Sequence, residues 1–333
     1  MAYTVGGAFT AFRSHTVDLD SDQTRTARTS RDYLIKQVRT LAGNDSAFPR
    51  LGGDPIHYGS FARRTKIRPL DDIDLMVVLD GTGTTEHHKG DGKCWLQISD
   101  QNAPLAAYPD SYGYVSSIKV LNRMRDELGK LSSYRKAEVR RNQQAVVLNL
   151  VSYDWSFDLV PAVPIANFLG TVTHYLIPNG SGDWMRTDPR KDQAWVTRIN
   201  QRHSNRFLPL VRLLKHWNVN GAQTKPRLPS YYFEALAARV FDGAPLIQSL
   251  PDGVAQFFST VGVYVSQSCP DPKGLGPALD ADISWDTKQK VIAALGEASE
   301  RSGYARMYER QSNHEKAIYW WGRVFGSSFP TYG

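Results

Sequence analysis

Two aspartates, Asp72 and Asp74, stand two residues apart at the start of an apolar run that continues to Leu79. Because successive side chains of a β-strand point to opposite faces, both carboxylates would lie on one face of a sheet, while Ile73 and Leu75 would enter the core. Two ionised carboxylates about 4 Å apart repel each other by roughly 4 kcal/mol at an effective dielectric constant of about 20. A divalent cation between them turns that repulsion into a binding site. The run therefore predicts a strand that carries a metal site.

A glycine-serine turn precedes the paired aspartates, and a third aspartate follows much later in the chain. Gly59 permits close approach of the backbone, and Ser60 with the amides after it could lie at a helix N-terminus, where phosphate binds. Asp158 lies in a second apolar run, residues 157–163, whose β-branched character favours a strand. Burying a lone aspartate is costly, so we expect Asp158 to lie beside the strand of the paired aspartates. Three carboxylates so placed predict a two-metal site for phosphoryl transfer, with Asp158 as a ligand or general base.

The chain divides into a mixed α/β half and a mostly helical half. Its patterns predict helices at 16–43 and 115–131, strands at 145–151 and 157–163, and helices from about Asp192 onward. Residues 80–93, with four glycines and two histidines, predict an exposed loop. Asp71 should point away from the metal face and serve as a turn or capping residue.

Composition is that of a soluble globular protein, with 41% hydrophobic and 22% charged residues. No run approaches the roughly 18 apolar residues that a membrane helix needs, and the first residues do not resemble a secretory signal. We therefore expect a cytoplasmic protein with no membrane partner. A net charge of +7 fits an anionic partner, for which nucleic acid and nucleoside triphosphates are equally good candidates.

Cysteine and histidine positions argue against a zinc site. Cys94 and Cys269 are far apart in the sequence, and His87 and His88 with Cys94 make only three ligands. Structural zinc sites need four ligands at recognisable spacing. The favoured interpretation is a loop that contains histidines by chance.

The order of Gly59, Ser60, Asp72, Asp74 and Asp158 resembles the polymerase-beta-like nucleotidyltransferase pattern. The downstream half is similar to the bacterial CD-NTase family, the cGAS-like cyclic oligonucleotide synthases of anti-phage defence. That similarity is carried by Trp184, Thr187, residues 188–189, 210–218, 228–234, 320–326 and 329–330. It spans the chain from about residue 25 to the end.

The resemblance implies an α+β fold of two lobes with the active site in the cleft between them. Residues 1–180 would form the nucleotidyltransferase core, a twisted mixed sheet with flanking helices and an N-terminal helix. Residues 181–333 would form a mostly helical nucleotide-binding lobe with a flexible C-terminal tail.

The same resemblance implies roles for individual residues. The three aspartates would hold two Mg²⁺ or Mn²⁺ ions. Lys215 would contact the triphosphate, Ser230 would hydrogen-bond its phosphates, and Tyr231 would stack on the donor base. These roles agree with general chemistry, because a lysine binds phosphate as a point charge and an aromatic face accepts any base.

The implied reaction is attack of a ribose hydroxyl of one nucleotide on the α-phosphate of another, with release of pyrophosphate. Repetition in one cavity closes a cyclic di- or trinucleotide from ATP, GTP or a pyrimidine nucleotide. Ring closure needs a second nucleotide pocket, for which the loops at 178–187 and 80–95 are candidates. Implied partners are a product-binding effector protein and a ubiquitin-transfer-like conjugating enzyme that acts on Gly333, with no obligatory nucleic acid.

Two alternative functions stay open at this point: a template-independent RNA 3′-end nucleotidyltransferase, and a non-catalytic nucleotide-binding module of the same fold. Two basic runs have alternative interpretations as well. The first is either a solvated face or the mouth of the cleft, and the second is a helix surface or a partner-binding patch. The runs are Arg63, Arg64, Lys66 and Arg68, and then Arg135, Lys136, Arg140 and Arg141.

Overall fold

The computed structural model describes residues 1–43, 47–90, 92–221 and 225–333. Within these residues nine strands form one sheet. They are β1 (Ile56–His57), β2 (Asp72–Val78), β3 (Thr84–Gly90), β4 (Lys93–Ile98), β5 (Glu138–Asn142), β6 (Ala145–Asn149), β7 (Ser156–Ala166), β8 (Val172–Pro178) and β9 (Trp184–Thr187).

Ten α-helices accompany the sheet in the described part of the chain. They are α1 (Val5–Phe12), α2 (Ser21–Gly43), α3 (Gly59–Ala62), α4 (Ser117–Leu128), α5 (Pro189–Arg202), α6 (Phe207–Asn220), α7 (Ser230–Phe241), α8 (Leu250–Ser266), α9 (Trp285–Arg310) and α10 (His314–Phe325). A π-helical turn, Arg13–Val17, extends α1. No helix of the described residues combines the length and the apolar composition needed to cross a membrane.

The sheet is mixed, and its one parallel pair among the described strands is β2 with β7. The strand order is β1-β2-β7-β8-β9-β4-β3, with β6 also pairing β7 and β5 pairing β6. β7 is long enough to pair with β2 through its first half and with β8 through its last residues. The observed architecture therefore confirms the α+β class, with helices collected in the second half of the chain.

The prediction of an exposed loop at 80–93 is wrong, because β3 and β4 form a hairpin there; residue 91 lies outside the described residues. Cys94 and Leu96 of β4 are buried, whereas β3 is polar and mostly exposed. An edge strand of that kind carries no apolar alternation, so its period cannot be recognised from sequence. The suggested helix surface around Arg140 is also wrong, since that residue lies on β5.

Two large apolar cores support the two parts of the chain. One lies between the sheet and the helices α2 and α4, and includes Leu34, Leu121 and Phe157. The other is built from α5 to α10, yet it also contains residues 2–17. The predicted boundary at residue 180 stays a prediction, and α1 packs on the far side of it.

The last residues are docked on the N-terminus rather than free, in contrast to the flexible tail that we expected. The amide of Ala2 donates to the carbonyl of Thr331 at 3.0 Å. Phe329 is buried against Phe9 and Phe12 of α1. The tail is therefore part of the helical core up to Thr331.

Candidate active site

Asp72 and Asp74 lie on one face of β2 and are half-buried, while Ile73 and Leu75 between and after them are buried in the core. The parallel pairing with β7 places Asp158 directly opposite Asp74 in the register. The sheet therefore brings Asp158 beside the paired aspartates, which lie far earlier in the sequence. Their geometric grouping agrees with the sequence prediction.

Burial and neighbouring carboxylates raise the pKa values of Asp74 and Asp158. Burial, and then the charges of Asp72 and Asp158, raise the pKa of Asp74 to about 7. Burial and the charge of Asp72 raise the pKa of Asp158 to about 6. Burial and the same carboxylates also raise the pKa of Tyr58, which precedes α3. The site thus holds more negative charge than its surroundings neutralise, which is the condition that a divalent cation relieves.

Lys66 supplies part of the missing positive charge. Its ammonium nitrogen lies 2.6 Å from Oδ1 of Asp72 and also contacts Asp71. Asp71 precedes β2 in an irregular segment rather than in a turn, and a capping role for it stays a prediction. Among the described residues, no group of three or more His, Cys, Asp or Glu side chains has the arrangement of a closed metal site. The donor set nevertheless fits Mg²⁺, because all three groups are carboxylates, the hard oxygen ligands that this ion takes.

Gly59 is required by the closeness of the backbone to Asp74. Its φ angle is +74°, and a Cβ atom built there would lie 1.8 Å from Oδ2 of Asp74. Both the left-handed backbone and the missing side chain therefore demand glycine. Ser60 follows at the start of α3, a helix of four residues.

A cleft of about 400 Å³ lies between the sheet and the helical lobe. Seven of the eight predicted site residues line it; the eighth, Asp158, is on the neighbouring strand β7 and is not part of the lining. The seven are Gly59, Ser60, Asp72, Asp74, Lys215, Ser230 and Tyr231. A larger cavity of about 890 Å³ lies between α2 and the turn before β7, but none of the predicted site residues lines it. We place the active site in the smaller cleft because the carboxylates are there.

Lys215 does not project freely into this cleft. It is 4% exposed, and its ammonium lies 2.6 Å from Oε1 of Glu234 on α7. Burial lowers the pKa of Lys215, while the ion pair with Glu234 opposes that shift. The other oxygen of Glu234 accepts from Arg63 and Thr65, which follow α3 on the opposite wall.

Tyr231 also has partners already. Its hydroxyl donates to Oδ1 of Asp192 at 2.5 Å and accepts from Lys273 at 3.0 Å. The Lys273 ammonium lies 4.5 Å and the Arg63 guanidinium carbon 5.3 Å from the centre of the ring. A nucleotide base that stacks here would compete with these cations for the faces of the ring.

Sequence reasoning named Glu234 only as part of a motif and gave it no role. A usable signal was present: a glutamate four residues after Ser230, on a helix whose neighbouring positions 232–233 and 235–238 are apolar. A charge in such a stretch must be paired if it is buried. The partners could not be identified, because Arg63 is 171 positions away in the chain.

Comparison with known proteins identifies the family of this chain. No protein-family model matches the chain. A probable cyclic nucleotide synthase of Bacillus cereus (strain VD146) is 36% identical over 334 residues, which cover 100% of this chain and 99% of the relative. CdnC of E. coli MS115-1, solved with ATP, has a TM-score of 0.71 at 17% identity and 98% coverage of both chains.

The Vibrio cholerae di-nucleotide cyclase DncV, solved as a variant in complex with ATP and GTP, has a TM-score of 0.69 at 9% identity. The superposition covers 99% of this chain and 98% of that one. At these identities the two solved structures establish the shared fold. The Bacillus relative, alignable from end to end, establishes more: this chain is a nucleotidyltransferase that belongs to the CD-NTase family of cyclic oligonucleotide synthases.

Proposed function

We propose that this protein joins ribonucleoside triphosphates into a cyclic di- or trinucleotide and releases pyrophosphate at each step, as the signal-producing enzyme of a CBASS anti-phage system. The observation that carries the proposal is the pairing of Asp74 with Asp158 across β2 and β7, beside a cleft lined by basic residues. Carboxylates on one side and cations on the other suit a metal-bound triphosphate.

Asp72, Asp74 and Asp158 are the residues that would hold two Mg²⁺ or Mn²⁺ ions. When bound, such ions neutralise phosphate charge and lower the pKa of an attacking hydroxyl. The protein itself contributes the rigid strand pair that fixes the carboxylates. Gly59 adds the close backbone approach, because no side chain separates it from Asp74.

The cations of the cleft would bind the triphosphate. Five basic residues line it: Arg63, Lys66, Arg68, Lys215 and Arg227. Ser230 begins α7 at the same wall and would donate its hydroxyl to a phosphate oxygen. Tyr231, next to it, would stack on the base once a cation leaves one face of its ring. Because Arg63, Lys66 and Arg68 line the cleft, they support the interpretation of the first basic run as the mouth of the cleft, whereas Arg64 of that run is not part of the lining.

Free nucleotides are the proposed substrates, rather than an RNA end. The solved E. coli relative contains ATP, and the Vibrio relative contains ATP and GTP. A cleft of about 400 Å³ matches the size of small-molecule sites. The second nucleotide needed for ring closure would enter from the side of β3 and β4 or of residues 178–187.

The test is incubation of the purified protein with labelled nucleoside triphosphates and Mg²⁺ or Mn²⁺. Small products that resist phosphatase are expected from the wild-type protein, because a ring has no terminal phosphate. They should be absent from the Asp72→Asn/Asp74→Asn variant. Extension of an added RNA alone would establish the 3′-end nucleotidyltransferase instead. Nucleotide binding without any product would favour the non-catalytic module.

Two partners belong to the same proposal: an effector that binds the product, and a ubiquitin-transfer-like enzyme that conjugates Gly333. Since Thr331 is hydrogen-bonded to Ala2, conjugation would require the end of the tail to leave this contact or to be reached at the surface. Mass spectrometry of the protein from infected cells would detect a conjugate through Gly333.

A further inference from the structure

Glu234 joins the two walls of the cleft through three hydrogen-bonded partners. Its Oε1 accepts from the Lys215 ammonium of α6 at 2.6 Å. Its Oε2 accepts from Thr65 at 2.9 Å and from the Arg63 guanidinium at 3.1 and 3.2 Å. All four side chains are at least nine-tenths buried. The group is therefore fixed in geometry, with each polar head held by another.

This buried group carries an excess positive charge. Arg63 and Lys215 are two cations, and Glu234 is one carboxylate. Burial raises the pKa of Glu234, but its two cationic partners more than compensate and hold that pKa below the usual value. The remaining positive charge faces the cleft that these three residues line. A polyphosphate is the complementary anion for it.

A positioning role explains why a carboxylate is placed among phosphate-binding cations, where it competes with substrate. Long cationic side chains lose considerable rotamer entropy when they are ordered. Glu234 imposes that ordering in the folded protein, before the nucleotide arrives. The cost at binding is then smaller, which is the general advantage of preorganised sites.

We propose that Glu234 is a positioning residue, which aligns Lys215 and Arg63 for the triphosphate and ties the helical lobe to the segment after α3. The inference rests on the proposed function, because it assigns a role within the same cleft. Glu234 itself does not contact the reacting atoms. It acts through the two cations.

A double-mutant cycle tests this action through Lys215. The variants are Glu234→Gln, Lys215→Met and the combination, and kcat/KM for product formation is measured for each. Glu234→Gln should lower kcat/KM by about 100-fold, the cost of a small misplacement of a binding group. In the Lys215→Met background, Glu234→Gln should have a much smaller further effect, because only the alignment of Arg63 is left to lose, so the double variant is impaired less than the product of the two single effects. Effects that multiply in the double variant would overturn the inference.

Asp280→Asn is the matched control for loss of a buried carboxylate. Asp280 is buried in the helical lobe, pairs with Lys288 and accepts from the amide of Cys269 at 2.7 Å. It does not line the cleft. This variant should lose stability in a thermal melt and keep near wild-type kcat/KM. If Glu234→Gln behaves in the same way, Glu234 is only structural.

Glu234→Asp covers the case in which Glu234→Gln does not fold, since two unpaired buried cations are strongly destabilising. Aspartate keeps the charge but is one methylene shorter, so it neutralises the cations without reaching both. A folded Glu234→Asp protein with low kcat/KM supports positioning, and one with full kcat/KM contradicts it.

If the wild-type protein makes no product, the proposed function is wrong. The same cycle is then measured on ATP affinity by calorimetry, where multiplying effects overturn the inference.

Discussion

At the scale of single residues, the active site depends on a missing side chain as much as on those present. A Cβ atom at residue 59 would overlap the carboxylate of Asp74. Gly59→Ala should therefore displace Asp74 and lower kcat/KM by about 100-fold or more, in line with other misplaced catalytic groups. Steady-state kinetics at saturating Mg²⁺ checks this. Gly113→Ala, at another positive-φ glycine with open space around it, is the control and should keep its activity.

The raised pKa of Asp74 also affects the stability of the fold. Its pKa is about 7 in the folded protein against an ordinary value of 3.8. The metal-free protein therefore loses stability as the pH rises from about 4 to about 7, because the fold disfavours the ionised carboxylate. Asp74→Asn should raise the free energy of unfolding at pH 8 without metal by on the order of 2 to 4 kcal/mol. Chemical denaturation with EDTA measures it.

If Asp74 is a metal ligand, Mg²⁺ should reverse the order of stability of the wild-type and Asp74→Asn proteins. Added Mg²⁺ is expected to raise the melting temperature of the wild-type protein and to have little effect on Asp74→Asn, since a ligand stabilises only the state that binds it. An equal shift in both proteins would contradict the assignment. Asp126→Asn, an exposed position paired with Arg125, serves as the control for loss of one negative charge.

At the scale of elements, sequence patterns were sufficient where apolar residues repeat. The strand of the paired aspartates, the strand of Asp158 and the long helix before residue 43 all show such patterns and all form. β3 has no such apolar repeat. It is stabilised instead by its backbone pairing with β4 and by polar side-chain contacts. Glu86 is central to these: it accepts from Arg186, from His174 at 3.0 Å and from Cys94. Pairings of this kind span up to 100 positions, so sequence alone cannot specify them.

The Glu86 cluster predicts an acid-sensitive hairpin. Although burial opposes it, hydrogen bonds from His174, Arg186 and Cys94 lower the pKa of Glu86 to about 2. The stability that the ionised Glu86 carboxylate contributes to the fold is therefore complete above pH 4.5, near its pKa in the unfolded chain. That contribution is lost as the pH falls towards 2. Glu86→Gln should cost about 1 to 2 kcal/mol at pH 7, discounted for its partial exposure, and almost nothing at pH 2. Urea titrations of both proteins across this range measure the difference.

At the scale of the whole molecule, the two ends of the chain form one structural unit. Phe12 of α1 is buried against Phe325 and Phe329 of the C-terminal segment. The flexible tail was expected from the resemblance to the CD-NTase family. Residues 326–333 also contain glycine, serine and proline, a composition that locally favours irregular structure. The aromatic contacts with α1 are tertiary, and they override that local tendency.

Phe12→Ala tests this union of the termini. The substitution removes a buried aromatic ring and should cost about 3 to 5 kcal/mol in the free energy of unfolding. Because Phe329 loses a packing partner, amide hydrogen exchange should also accelerate at residues 327–333 in the native protein. Tyr3→Ala is the control: Tyr3 is 72% exposed and meets the tail by an edge contact with Tyr332, so both effects should be small. Exchange in the tail that is equally fast in wild type and Phe12→Ala would show that α1 does not hold it, and Gly333 would then be accessible without any prior release.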